Sequence, residues 1–118
     1  MNIYVMTLFP EMIEQATAHS IVGRAVRDGL LTVKAVNIRD YTENKHGRVD
    51  DYPFGGGAGM VMQAQPVYDC YEAVRGCIEG EHRFLYMTPC GRTFDQGMAR
   101  DLAGDENIVL LCGHYEGI

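Results

Sequence analysis

A chain of 118 residues that is 47% hydrophobic and 22% charged is long enough for one packed core and too apolar to be disordered. Its net charge of −6, ten Lys and Arg against sixteen Asp and Glu, excludes a protein that grips nucleic acid by bulk positive charge. A local basic patch remains open, because six of the ten cations (Arg24, Arg27, Lys34, Arg39, Lys45 and Arg48) precede residue 50.

The start carries no basic n-region, and no apolar run approaches the roughly 18 residues that span a bilayer. A cytoplasmic protein with no membrane association is expected. Four cysteines, Cys70, Cys77, Cys90 and Cys112, form no C-x-x-C pair. Cys70 and Cys77 lie about 10 Å apart along a predicted helix, too far for a disulfide. Reduced thiols in the core or lining a pocket are expected, rather than metal ligands.

In chain order, Asn2 to Leu8 is a β-prone run, and Pro10 follows at a position where a helix can begin without losing a hydrogen bond. A helix is predicted over Glu11 to Ala18. A second has Ser20 as its N-cap, Ile21, Ala25 and Val26 on one face, and Gly29 at its end. Leu31 to Ile38 alternates as a strand, and the order strand, helix, strand favours parallel pairing with a right-handed crossover. From Arg39 to Gln63 no period is visible for about 25 residues, the mark of a functional or disordered loop. Val67, Cys70, Tyr71, Val74, Cys77 and Ile78 then recur at helical steps, with Gly80 as the stop. Arg83 to Met87 is the next strand. Thr93 and Gln96 read as a capping box for a helix ending at Gly104, and Asn107 to Cys112 is a fully buried strand.

Two strand ends carry the chemistry. Asn107 to Cys112 opens into Gly113-His114-Tyr115-Glu116-Gly117, and Arg83 to Met87 opens into Thr88-Pro89-Cys90-Gly91-Arg92. Ligands in open parallel sheets bind beyond the carboxyl ends of strands, so two such ends side by side would make one pocket holding Glu116. Gly55-Gly56-Gly57-Ala58-Gly59 lacks the Lys-Ser/Thr of a phosphate loop and follows no strand. It is either a flexible linker or, given its neighbours Asp50, Asp51, Phe54 and Met60, an ordered functional loop. Cys112 and His114 are too close in sequence to point together as nucleophile and base. His19, His46 and His82 show no metal-ligand spacing and are expected to be solvated. Asp50-Asp51 either coordinates a divalent ion such as Mg2+ or faces water; residue type leaves both open.

Motifs along the whole chain carry a resemblance: Leu8-Phe9-Pro10-Glu11-Met12, Gly23-Arg24-Ala25-Val26, Asp28-Gly29-Leu30-Leu31, Arg39-Asp40-Tyr41-Thr42, Val49-Asp50-Asp51, the glycine cluster through Met60, Gln65-Pro66, Pro89-Cys90-Gly91-Arg92, Asp95-Gln96 and Cys112 to Ile118. In this order they resemble the N-terminal part of the bacterial tRNA (guanine-N1)-methyltransferases, a branch of the SPOUT methyltransferases. That resemblance implies an α/β domain with a parallel sheet, flanking helices and a deep trefoil knot, this chain stopping before the knot is completed. It also implies S-adenosylmethionine as cofactor, tRNA as substrate, methylation at N1 of guanosine-37 (3′ of the anticodon), and a homodimer with sites at the subunit interface. Tyr86, Thr88, Pro89, Gly91, Gly113, Tyr115 and Glu116 would line the cofactor pocket, Glu116 being next to the target guanine. Asp50, Gly55 and Gly59 match segments that close on the site and the RNA.

The family often has Pro at the position of Ala58, Gln at Cys90 and Arg at His114. The last difference removes a permanent cation from the rim. By resemblance, the adenine-holding loop, the general-base Asp and a C-terminal tRNA-binding domain lie beyond Ile118, so the chain alone is expected to be inactive. The competing reading is a non-catalytic nucleotide-binding or dimerisation module that keeps the scaffold. A flavodoxin-like phosphate binder is disfavoured by the missing phosphate motif.

Overall fold

In the computed structural model, which describes residues 1–118, the run near the start forms β1 (Asn2–Thr7) and leads directly into α1 (Pro10–Thr17), with proline in its first turn. α2 (Ser20–Arg27) follows after a turn so tight that a Cβ on Gly23 would stand 2.5 Å from the Ala18 carbonyl oxygen. Ser20 sits there at φ 60°. The helix is counted from Ser20 although this φ is not helical, and His19, at the cap position, makes no side-chain cap bond. At the other end Gly29 takes φ 76°, with its N–H donating to Val26 O and that of Leu30 to Ala25 O. Those two bonds close the helix in the left-handed turn that glycine makes cheap.

β2 (Thr32–Asn37) pairs in parallel with β1, from Asn2 opposite Thr32 to Thr7 opposite Asn37. The stretch that shows no period contains a 3-10 turn at Ile38–Tyr41 and a miniature antiparallel ribbon, β3 (Asp50–Asp51) against β4 (Val61–Met62). α3 (Ala64–Gly76) ends before the expected Gly80. β5 (Arg83–Met87), α4 (Gln96–Leu102) and β6 (Asn107–Cys112) complete the chain. α4 is capped by Asp95, whose carboxylate accepts from Met98 N at 2.8 Å. Gln96 is thus the first helical residue and cannot act as the third member of a box begun by Thr93.

The four long strands form one parallel sheet in the order β2-β1-β6-β5. Steps from β1 to β2 and from β5 to β6 run one way across it, and the step from β2 to β5 runs the other, so right-handed crossovers put α3 on the face opposite the other helices. On the α3 face, Cys70 and Val74 pack with Met6, Leu8, Ile38, Val49, Met62, Val109 and Leu111 in one buried cluster. Each such side chain removed from water contributes about 1.5–3 kcal/mol. Ile38, Val49 and Met62 bring the long loop into this core, which fixes both ends of the glycine segment. The first and last strands are also tied by Asn2 Nδ2 donating to Asn107 Oδ1 at 3.1 Å. At the far end of α4, Arg83 forks onto Asp101 and Asp105, with Nη2 to Asp105 Oδ1 at 3.0 Å.

Candidate functional site

β5 and β6 end side by side, Met87 opposite Cys112, so the two expected turns emerge as neighbours. The Tyr86 ring covers the bare α-carbon of Gly113: a Cβ there would lie 3.5 Å from Tyr86 Cε2 and 3.7 Å from Ile118 Cδ1. In the other turn, Thr88 Oγ1 accepts from Cys90 N at 3.3 Å, and a Cβ on Gly91 would be 3.2 Å from Thr88 Cγ2. Tyr86, Thr88 and Gly91 also border a cleft of about 720 Å³ on the α4 face of the sheet, walled by Leu85, Met87, Phe94, Met98, Ile108 and Leu110. Gly113, Tyr115 and Glu116 lie outside that cleft, with Tyr86 as the link between the two groups.

The turn after β6 is held from the opposite side. Glu116 N donates to Met60 O at 2.9 Å, and Met62 N donates to Gly117 O at 2.7 Å. The segment beyond the glycine cluster thus adds to the Glu116 turn like a short extra strand. Tyr115 is forced to φ 62°, a left-handed conformation that costs a non-glycine residue about 1 kcal/mol or more. The His114 ring is wedged between Phe9 and Tyr115, with ring centroids 5.2 and 4.7 Å away in edge-on geometry, and the His114 backbone N–H donates to Met62 Sδ at 3.4 Å. Glu116 is exposed, and no hydrogen bond or ion pair within the chain engages its carboxylate. Gly59 comes against its side chain.

Other expected residues fall elsewhere. Gly55, at φ 80°, has nothing within 4 Å of its Cβ position. Asp50 lies in the ribbon, its carboxylate 3.5 Å from Arg48 Nε and its carbonyl accepting from Gln63 Nε2 at 3.0 Å. Asp51 Oδ1 accepts from Tyr52 N, and no cluster of three or more His, Cys, Asp or Glu side chains is placed to hold a metal ion. Arg39 donates to Gly47 O and Arg48 lies 5.9 Å from the Tyr52 ring centre, so part of the suspected basic patch serves to order its own loop.

His82 is half-buried, and its ring has a partner within the chain: its Nε2 is 2.7 Å from the Tyr71 hydroxyl, and Tyr71 meets Phe84 edge-on. All four cysteines are free thiols; burial and then the charge of Asp40 push Cys70 up to about 12, and burial also raises Cys112. Sequence reasoning missed Phe9, Met60 and Met62 as partners of the turn. Phe9 sits at the carboxyl end of β1, where a strand-end search would find it, but nothing in the order of residues signals a methionine backbone pairing more than fifty positions away.

A parallel sheet whose adjacent strand ends open into glycine-bearing turns, one with an unengaged carboxylate, defines an α/β protein of the open-sheet class, in which ligands generally bind beyond the carboxyl ends of the strands. The comparisons name the kind. The family described as tRNA (Guanine-1)-methyltransferase TrmD matches residues 1–118, and the chain belongs to it. A tRNA (guanine-N(1)-)-methyltransferase of Lachnospira eligens is 57% identical over all 118 residues, which cover 50% of that protein. One from Caldicellulosiruptor saccharolyticus is 53% identical over 97% of this chain and 46% of its own length. The crystal structure of tRNA (m1G37) methyltransferase from Aquifex aeolicus, a SPOUT fold, superposes with a TM-score of 0.90 at 32% identity, covering 99% of this chain and 52% of that one. The chain therefore spans about half the length of the relatives it matches. No helix is long and apolar enough to cross a membrane.

Proposed function

We propose that these residues form the cofactor- and guanine-holding part of an enzyme that methylates N1 of guanosine-37 in tRNA from S-adenosylmethionine, and that the 118-residue chain alone is inactive. The observation carrying this reading is the paired strand ends, with Tyr86 over Gly113 and the unengaged Glu116 beside them. The residues fit the cofactor in kind. Unpaired backbone groups at two strand ends can meet a nucleoside and an amino-acid tail, the glycines allow close approach, and the apolar cleft bordered by Tyr86, Thr88 and Gly91 suits a purine. Pro89 stiffens that turn, and Tyr115 supplies a ring at the rim.

When bound, S-adenosylmethionine supplies an already activated methyl group, which leaves alignment and charge stabilisation to the protein. Guanine N1 carries a proton at neutral pH, so the reaction also needs a base and donors for charge on O6. Glu116 is assigned to guanine positioning, its free carboxylate oxygens accepting from the N–H edge of the base. Proton abstraction is assigned to a group outside these residues. Exposed Tyr52, whose ring lies beside Arg48, and exposed Phe54 suit stacking of RNA bases, which supports a closing role for the Asp50 to Gly59 segment. The exposed apolar residues Ile21, Val22, Val26 and Leu30 support self-association through the α2 region, consistent with a homodimer.

The test is methyl incorporation from labelled S-adenosylmethionine into unmodified tRNA, by this chain and by the same chain extended to the length of its relatives. Glu116→Ala in the extended protein should depress methylation far more than cofactor affinity. Comparable rates from the 118-residue chain would overturn the inactivity, and cofactor binding without any methyl transfer by the extended protein would favour a non-catalytic module.

A further inference from the structure

We infer that Gly59 is a positioning residue for Glu116: its missing side chain is the surface against which the glutamate lies, and it sets where the carboxylate points. This rests on the role given to Glu116 above. A Cβ on Gly59 would stand 2.6 Å from Glu116 Cγ, closer than carbon atoms pack, and at a tight 3.0 Å from Oε1 and 3.2 Å from Cδ. The two residues are brought together by main-chain bonds on either side, Glu116 N to Met60 O and Met62 N to Gly117 O. Since no hydrogen bond or ion pair holds the carboxylate, backbone contact orients the stem while both oxygens stay available to a ligand. A carboxylate held by a neighbouring donor commits a lone pair to that bond. One held by shape does not.

Gly55 provides the control. It has the same backbone angle, φ 80° against 79°, but nothing within 4 Å of its Cβ position. Alanine at either site meets the same left-handed strain, and only alanine at 59 meets Glu116. Because a glutamate side chain can swing aside, Gly59→Ala should unfold no more easily than Gly55→Ala while displacing the carboxylate.

The experiment is NMR on the 118-residue chain with thermal unfolding alongside. In the unsubstituted chain, Gly59 Hα should show a nuclear Overhauser contact to the Glu116 Hγ pair, and those two protons should have separate shifts. Gly59→Ala should merge the two shifts. Gly55→Ala should leave both the contact and the separation intact, at a melting temperature close to that of Gly59→Ala. Absence of the contact in the unsubstituted chain, a measurement needing no variant to fold, would overturn the inference. So would equal Glu116 shifts in the two variants. These signals do not depend on methyl transfer, so an extended protein that fails to methylate tRNA while keeping them would defeat the methyltransferase reading and leave the Gly59 geometry standing.

Discussion

The Tyr86 ring closes over Gly113, its hydroxyl oxygen 3.8 Å and its Cε2 3.5 Å from where a Cβ on the glycine would stand. Those distances are ordinary contact, so they grade the substitutions. Gly113→Ala should be accommodated, whereas the two methyl groups of Gly113→Val must push Tyr86 off the junction of β5 and β6. Calorimetric titration with S-adenosylmethionine should show affinity kept in the first variant and lost in the second, with both still folded by circular dichroism. Equal affinity in all three would remove the pocket from this strand end.

Met6 is wholly buried among Val109, Leu111 and the α3 residues, while Met12 on α1 is 66% exposed. Met6→Ala should lose about 2–5 kcal/mol through lost transfer energy and the cavity left behind. Met12→Ala should stay within about 0.5 kcal/mol. Urea unfolding of the two variants checks the difference.

Asp95 rather than Thr93 satisfies the first turn of α4. Asp95→Ala should destabilise by about 0.5–2 kcal/mol and expose the Met98 amide to faster hydrogen exchange. Thr93→Ala should leave that amide unchanged. The reverse result would restore the box read from Thr93 and Gln96.

The Arg83 guanidinium, first by its hydrogen bond and then by its charge, holds the Asp101 carboxyl below its ordinary value of 3.8. A carboxyl depressed in the folded state contributes stability that is fully present above 3.8 and is lost as pH falls from there through the depressed value. Asp101→Asn should therefore reduce stability at neutral pH and make it less dependent on pH on the acid side of that value. Both groups face solvent, so the effect should be small and shrink in high salt. Urea midpoints of the two proteins from neutral pH down into the acid limb, at low and high ionic strength, measure it.

The strands and helices longer than five residues were legible because their apolar periods are long enough to see, and so were the two strand ends of the site. The ribbon of β3 and β4 was not, since two residues a side cannot display a period. Its order comes from polar bonds that leave no pattern: Gln63 to the Asp50 carbonyl, and Gln65 Nε2 to the Tyr41 carbonyl at 2.7 Å. The partner of His82 was hidden for a related reason, as Tyr71 belongs to another element and the spacing matches no motif. Thr93 satisfied the letters of a capping box, but Asp95 lies nearer the helix and is the better acceptor. Gly59 could be seen as a glycine the loop needs, yet not as the floor under Glu116, because that contact joins segments 57 positions apart.

β1 lies in the interior of the sheet, between β2 and β6, and its partner Asn107 is 105 residues away in sequence. During synthesis β2 can pair with β1 early, but the other edge of β1 has no partner until β6 leaves the ribosome. At about 5–20 residues per second that is a wait of roughly 5–20 s, long against the microseconds to seconds in which small domains fold. Ile3, Val5 and Met6 thus belong to an open, apolar strand edge until β6 has been made, the kind of edge that recruits other nascent chains. Slower translation lengthens that exposure in proportion, so the yield of soluble protein should depend on elongation rate across the stretch between β2 and β6 more than on the stability of the finished sheet.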